Sequence, residues 1–228
     1  MFRLWSMLSL VVIDAELETV PDIMKDDYSI RIQAKKRGKL ASKMLLDSNF
    51  MHSAIERYFP GESNRRGRPD IIFHLLMTSL ESILNKKSGL RVIIHTRNNQ
   101  IIEINPSIRL PKSYNRFVGL MEDLFDKRAI GPQSETLMKV TDGNWKDALN
   151  MTEGNQILLS PRGIPGKIAD VFHGAGDQSV IIGGFSQGDF ISDVYSLGSG
   201  ISIYPGELSI WSVAMECICQ YERNYGFV

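Results

Sequence analysis

Hydrophobic and polar positions along the chain alternate between two periods. A dense, partly β-branched apolar run, Leu8 to Ala15, predicts a first β-strand. Residues 38–59 read as a helix, with Leu40, Met44, Leu45 and Ile55 spaced along one face. A turn rich in glycine and arginine, residues 61–67, precedes Pro69 and Asp70, which suit a first helical turn. The helix they open carries Ile72, Leu75, Leu76, Leu80 and Ile83 inward and ends near Asn85. Residues 90–95 and 101–104 are short β-rich runs around the polar Arg97-Asn98-Asn99-Gln100, the pattern of a hairpin. Ser113 is placed to cap a helix running to 125, with Phe117, Leu120, Met121 and Leu124 on one side. Strand signals follow at 137–140, 156–159 and 179–182, with helical signals around 168–172 and over 208–221. Strands alternating with helices predict a layered α/β domain with parallel strands. No repeat or linker divides the 228 residues, so a single domain over 1–228 is expected.

Composition narrows the class. With 43% apolar residues the chain can bury a core, and no apolar run approaches the roughly 20 residues of a membrane span. A soluble protein with no membrane partner is expected. The start resembles an export signal until Asp14, Glu16 and Glu18 occupy the place of small cleavage-site residues. The two cysteines, Cys217 and Cys219, fall on different faces of the last helix, so they read as reduced packing residues of an intracellular protein. No metal site is expected.

The formal net charge is zero, but the charges are unevenly placed. Residues 1–84 hold 12 basic and 11 acidic side chains, 85–116 hold 7 and 1, and 117–228 hold 7 and 14. A local basic strip, not the total, sets affinity for phosphates. Within it Lys86, Lys87 and Arg91 read as a solvated loop. Arg109, Lys112 and Arg116 recur at spacings of three and four, and Arg65, Arg66 and Arg68 crowd one turn. Asp70 stands two residues beyond Arg68, where it can fix the guanidinium. Tyr114 and Phe117 lie nearby. Phosphate clamping with an occasional stacked base is one reading, and an exposed helix face with Phe117 in the core is the other.

Gly184-Phe185-Ser186-Gln187-Gly188 after an apolar strand fits a nucleophile elbow, yet that fold needs a histidine after the serine, and the four histidines are His52, His74, His95 and His173. A hydrolase is therefore disfavoured. Glycines at a strand's C-terminal end instead let backbone groups approach a ligand, and a second glycine-rich turn, residues 197–205, lies just ahead of the last helix. Two such bends on neighbouring strands can clamp a flat heterocycle. Neither a dinucleotide nor a nucleoside-triphosphate fingerprint is present.

Four blocks carry a resemblance: Arg68-Pro69-Asp70-Ile71-Ile72, the run from Ile104 to Met121, the run from Gly183 to Asp189, and Ile203-Tyr204-Pro205. Together with residues 14–18, 40–47 and His52, they are similar to the nucleolar-essential-protein family, ribosome-assembly enzymes of the SPOUT superfamily that methylate N1 of a pseudouridine in small-subunit rRNA. The likeness covers almost the whole chain and matches the shorter archaeal form. It implies a SPOUT-type sheet flanked by helices with a C-terminal deep trefoil knot, a homodimer, a cytoplasmic location (nucleolar in a eukaryote), and S-adenosylmethionine held bent by backbone groups.

By the same resemblance the cofactor residues are Leu159, Gly183, Gly188, Ser199, Gly200, Ile201, Ser202, Ile203 and Tyr204. The rRNA contacts are Arg68, Asp70, Arg109, Lys112 and Arg116, with Arg68 and Asp70 orienting the substrate. Lys112 stands where arginine is common, which loses a bidentate fork and keeps a phosphate contact. Gly184 and Phe185 change the small-residue pattern of the loop. Asp189 adjoins the cofactor loop and is a candidate base, with solvent as the other. The competing readings are another SPOUT RNA methyltransferase and a noncatalytic rRNA-binding assembly factor.

Overall fold

The computed structural model describes residues 6–174 and 176–228; the first five positions of the segment weighed as an export signal lie outside them. Eight strands form one mixed sheet: β1 (Leu8–Ala15), β2 (Leu90–Thr96), β3 (Gln100–Ile104), β4 (Ala129–Ile130), β5 (Met138–Asp142), β6 (Asn155–Pro165), β7 (Gln178–Gly183) and β8 (Ile201–Ser202). Their order across the sheet is β4-β5-β3-β2-β1-β7-β6-β8. Strand β1 is central and wholly buried, which explains its dense apolar run, interrupted at Ser9 and Asp14. It pairs in parallel with β2 and β7, and β6 is parallel to β7 and β8. The predicted parallel sheet is therefore correct for this half only. The hairpin of β2 and β3 reverses the chain, and β3, β5 and β4 run antiparallel.

Among the described residues seven α-helices surround the sheet: α1 (Tyr28–Arg37), α2 (Ser48–Tyr58), α3 (Pro69–Ser79), α4 (Ile83–Lys86), α5 (Tyr114–Lys127), α6 (Trp145–Asn150) and α7 (Ile210–Asn224). Leu10 and Val12 of β1 face Ile72, Leu76, Phe117, Ala214 and Ile218 from α3, α5 and α7. Val11 and Ile13 point to the opposite side, against Trp145, Ala148 and Leu149 of α6. A separate cluster under α1 and α2 holds Ile30, Met44, Leu46, Met51 and Ile55.

The predicted helix over 38–59 is corrected. Residues 41–43 make one tight turn, residues 44–47 are extended, and only α2 is helical. Leu45 bridges Thr19, and the Leu46 amide donates to the Glu18 carbonyl at 2.9 Å, so Met44, Leu45 and Leu46 are buried along an extended segment. Asp47 then accepts from the Asn49 amide and starts α2. The helical signal at 168–172 is one turn, Ile168–Asp170. Ser113 flanks α5 as expected, without a side-chain capping bond. No described helix is long and apolar enough to cross a membrane.

Candidate functional site

Strands β6, β7 and β8 end on the same side, and the loops that leave them enclose an open cleft whose empty space, solvent at its mouth included, is about 760 Å³. Its walls come from three places. Leu159, Ser160 and Pro161 belong to β6; Ile182, Gly183 and residues 185–190 to β7 and its loop; residues 201–204, 206–208, Ile210 and Val213 to β8, the following turn and α7. Of the nine predicted cofactor residues, Leu159, Gly183, Gly188, Ile201, Ser202, Ile203 and Tyr204 line this cleft. Ser199 and Gly200 do not; the Gly200 carbonyl accepts from the Ile164 amide at 3.0 Å, so this stretch joins β6 to β8.

Close backbone passages shape the cleft. A Cβ at Gly184 would meet Ala15 Cα at 2.6 Å and Val12 Cγ1 at 2.7 Å, so the first loop leaves directly against the end of β1. A Cβ at Gly163 would lie 2.6 Å from the Ile201 backbone, so the paired strands β6 and β8 run in close contact beside the cleft. Side chains pin the rest. The buried Asp14 carboxylate accepts from the Ile191 amide (2.7 Å), the Ser192 amide (2.8 Å) and Ser192 Oγ (2.7 Å), fixing the far end of the first loop to β1. Asp189 accepts from the Tyr195 hydroxyl at 2.7 Å and pairs with Arg162 at 2.7 Å. Both carboxylate oxygens are thus engaged, and Asp189 stands as a wall post more readily than as a base. Ser186 Oγ donates to the Asn64 carbonyl and to Glu16 at 3.3 Å; among the described residues, no histidine contact activates it.

The sequence reading missed these anchors and the cleft's aromatic pair, Phe185 edge-to-face with Phe190 at 5.2 Å. Isolated acidic residues after a strand show no period, so only the tertiary structure reveals that Asp14 and Glu16 are buried.

The crowded arginines separate by role. Arg66 is buried, bidentate to Glu18 at 2.8 and 2.6 Å, with its guanidinium 3.7 Å from the Phe59 ring centre. Arg65 turns under the first cleft loop. Arg68 remains at the mouth of α3, its Nε and Nη2 donating to Asp70 at 2.9 and 2.7 Å. That carboxylate raises the Arg68 pKa further, so the guanidinium is permanently charged. Arg109, Lys112 and Arg116 are exposed, and no ion pair engages them among the described residues. Phe117 is core, while the half-buried Tyr114 donates to Asp47 at 2.7 Å. Burial, then the Asp47 hydrogen bond, raises the Tyr114 pKa; Asp70 adds to this and Arg68 opposes it, which places the start of α5 beside the Arg68–Asp70 pair. Lys86, Lys87 and Arg91 are used locally, on Glu81, the Phe227 carbonyl and Glu103.

The arginine and the cleft are joined through one residue. The Arg68 amide donates to the Glu16 carbonyl at 3.1 Å, and the Glu16 amide donates to the Gly184 carbonyl at 3.0 Å. The fully buried Cys217 has its thiol pushed up to about 12 by burial, so it stays protonated and inert. No cluster of potential metal ligands occurs among the described residues.

Comparison with known proteins agrees along nearly all of the chain. The family model described as EMG1/NEP1 methyltransferase matches residues 10–222. A ribosomal RNA small subunit methyltransferase Nep1 of Thermoplasma acidophilum is 51% identical over 221 residues, covering 96% of this chain and 99% of the relative. The protein of the same name from Thermoplasma volcanium is 49% identical over 223 residues, covering 97% and 100%. Among solved structures, Archaeoglobus fulgidus Nep1 bound to S-adenosylhomocysteine superposes with a TM-score of 0.83 at 32% identity, covering 96% of this chain and 98% of that one.

Proposed function

This chain belongs to the EMG1/NEP1 methyltransferase family, and from that membership we propose that it transfers a methyl group from S-adenosylmethionine to small-subunit rRNA, at N1 of a pseudouridine. One observation carries the reading. Arg68, held by Asp70, sits two backbone hydrogen bonds from Gly184, whose chain neighbours Gly183 and Phe185 line the cleft, so a substrate-orienting cation adjoins the pocket.

The cleft fits a nucleoside-bearing donor. Leu159, Ile182, Ile203 and Phe190 offer apolar surface. The solved relative carries S-adenosylhomocysteine. S-Adenosylmethionine, when bound, supplies a sulfonium-activated methyl group. The chain's own residues then have positioning work. Arg109, Lys112 and Arg116 hold RNA phosphates, and Arg68 orients the target base and stabilises charge on its carbonyl oxygens as N1 loses its proton. Uridine uses the equivalent edge for its sugar bond, which is why the modified base is the substrate. A base taken out of its stack reaches the cleft most cheaply from an unpaired loop.

A single SPOUT-type domain with a C-terminal trefoil knot completes the reading, supported by the backbone contact of Gly163 with Ile201 and by β8 pairing outside β6. The proposed working form is a cytoplasmic homodimer. Ile191, Leu197, Tyr204 and Leu208 support it, since they leave apolar surface exposed around the cleft. The test is methyl transfer from labelled S-adenosylmethionine to a pseudouridine stem-loop and to its uridine twin. Label in the first alone is expected; equal label in both overturns the specificity.

A further inference from the structure

We propose that Arg65 and Glu16 are a positioning pair that holds the loop of residues 183–190 in its cleft-forming shape. The inference rests on reading the cleft as the methyl-donor site. Neither side chain lines the cleft itself. Both act through the loop that does.

Arg65 touches that loop at two points. Its Nη1 donates to the Asp189 carbonyl at 2.7 Å, and its guanidinium carbon lies 4.5 Å from the centre of the Phe185 ring. Glu16, with a side chain 1% exposed, takes a third point by accepting from Ser186 Oγ at 3.3 Å, while its amide holds the Gly184 carbonyl. The pair closes on itself where Arg65 Nε faces Glu16 Oε1 at 3.5 Å. These two atoms are buried and make no hydrogen bond, so the ion pair between them is what compensates their burial. Three loop residues, 185, 186 and 189, thus hang from the side chains of one ion pair, and 184 from the Glu16 backbone.

The charges around Glu16 are Arg65 and, from the entry to α3, Arg68; the polar contact is Ser186. Burial raises the carboxyl to about 7, with Arg65 and Ser186 pulling it down. The charge that faces Arg65 is therefore lost progressively as pH falls through neutrality. Cofactor affinity is coupled to pH through this pair, with tighter binding on the alkaline side.

Calorimetric titration with S-adenosylhomocysteine tests this, with thermal unfolding run on each variant. The wild-type Kd is expected to rise about threefold or more between about pH 8 and about pH 6. Glu16→Gln, which keeps the shape, is expected to bind with the weaker Kd at both values. Arg65→Ala is expected to bind about tenfold more weakly, and Arg65→Lys to recover part of the loss by restoring charge without the stacking plane. If Arg65→Ala does not fold, Glu16→Gln and Arg65→Lys carry the test. A Glu16→Gln profile that follows the wild-type pH dependence, or Arg65 variants with wild-type Kd, overturns the inference alone. Absence of binding by the wild-type chain overturns the reading of the cleft, and the inference with it.

Discussion

The Asp70 carboxylate takes the Arg68 guanidinium in a two-point fork, Nε to Oδ1 at 2.9 Å and Nη2 to Oδ2 at 2.7 Å, across the first turn of α3. Arg68 is about one-third exposed, so the fork costs little desolvation and mainly fixes direction. In the proposed function the remaining edge of the guanidinium meets the substrate.

A fixed direction matters for the reaction and not for the cofactor. Asp70→Ala is expected to lower kcat/KM on the RNA about tenfold or more, with the Kd for S-adenosylhomocysteine unchanged. Arg68→Lys is expected to behave like the alanine variant, because an ammonium cannot be held in the fork. Steady-state methylation kinetics beside a cofactor titration separate the two effects; a parallel loss of cofactor binding contradicts the assignment.

Arg116 lies exposed on α5 and has no carboxylate partner among the described residues. Arg116→Ala is expected to weaken RNA binding and to reduce the slope of log K against log salt by about one unit. Binding isotherms at several salt concentrations check it. An unchanged slope means that this side chain does not meet the backbone.

Gly163 is where β6 and β8 touch, and a methyl group there would stand 2.6 Å from Ile201 backbone atoms. Gly163→Ala is expected to push the two cleft walls apart, costing about 1–3 kcal/mol of stability and a measurable part of cofactor affinity. Denaturant unfolding and cofactor titration read the two losses. Gly174, with open space around its Cβ position but a φ of +79°, is expected to show backbone strain without the affinity loss when changed to alanine.

His95 reports on the Asp14 anchor. Its Nδ1 accepts from the Asp14 amide at 3.4 Å, so the neutral ring donates from Nε2 to Asn99 Oδ1 at 3.1 Å. Burial depresses its pKa below the ordinary 6.5, with Asn99 and Asp14 opposing. The unfolded chain therefore binds this proton at a pH where the folded chain refuses it. This group alone is expected to make stability fall as pH drops below about 6.5, by up to ~1.4 kcal/mol per pH unit, against the opposite slope that the raised Glu16 carboxyl contributes over the same range. In His95→Gln the fall is expected to be shallower, as urea unfolding at a series of pH values measures.

Much of this architecture was written in local pattern. The dense apolar run of β1, the hairpin of β2 and β3, and the Pro69 start of α3 each follow from neighbours in sequence. So did Arg68 with Asp70, only two residues apart. Residues 38–59 misled because Leu40, Met44, Leu45 and Ile55 keep a helical spacing, while the backbone at 44–47 is drawn out by its bonds to residues 18–20. Helix α1 escaped notice because its apolar residues form no stripe; Tyr28 and Ile32 are exposed where an inward face would be sought. The buried carboxylates were invisible for another reason. Asp14, Glu16 and Glu122 each bind partners more than 70 residues away, and nothing in a linear pattern pairs them.

The most direct measurement is a crystal structure of the chain with S-adenosylhomocysteine and a pseudouridine stem-loop. The account predicts the nucleoside between Leu159, the loop of residues 183–190 and the turn of residues 201–208, with the target base turned out toward it beside the Arg68–Asp70 fork. A nucleoside seated elsewhere, or a base that enters away from Arg68, would contradict it.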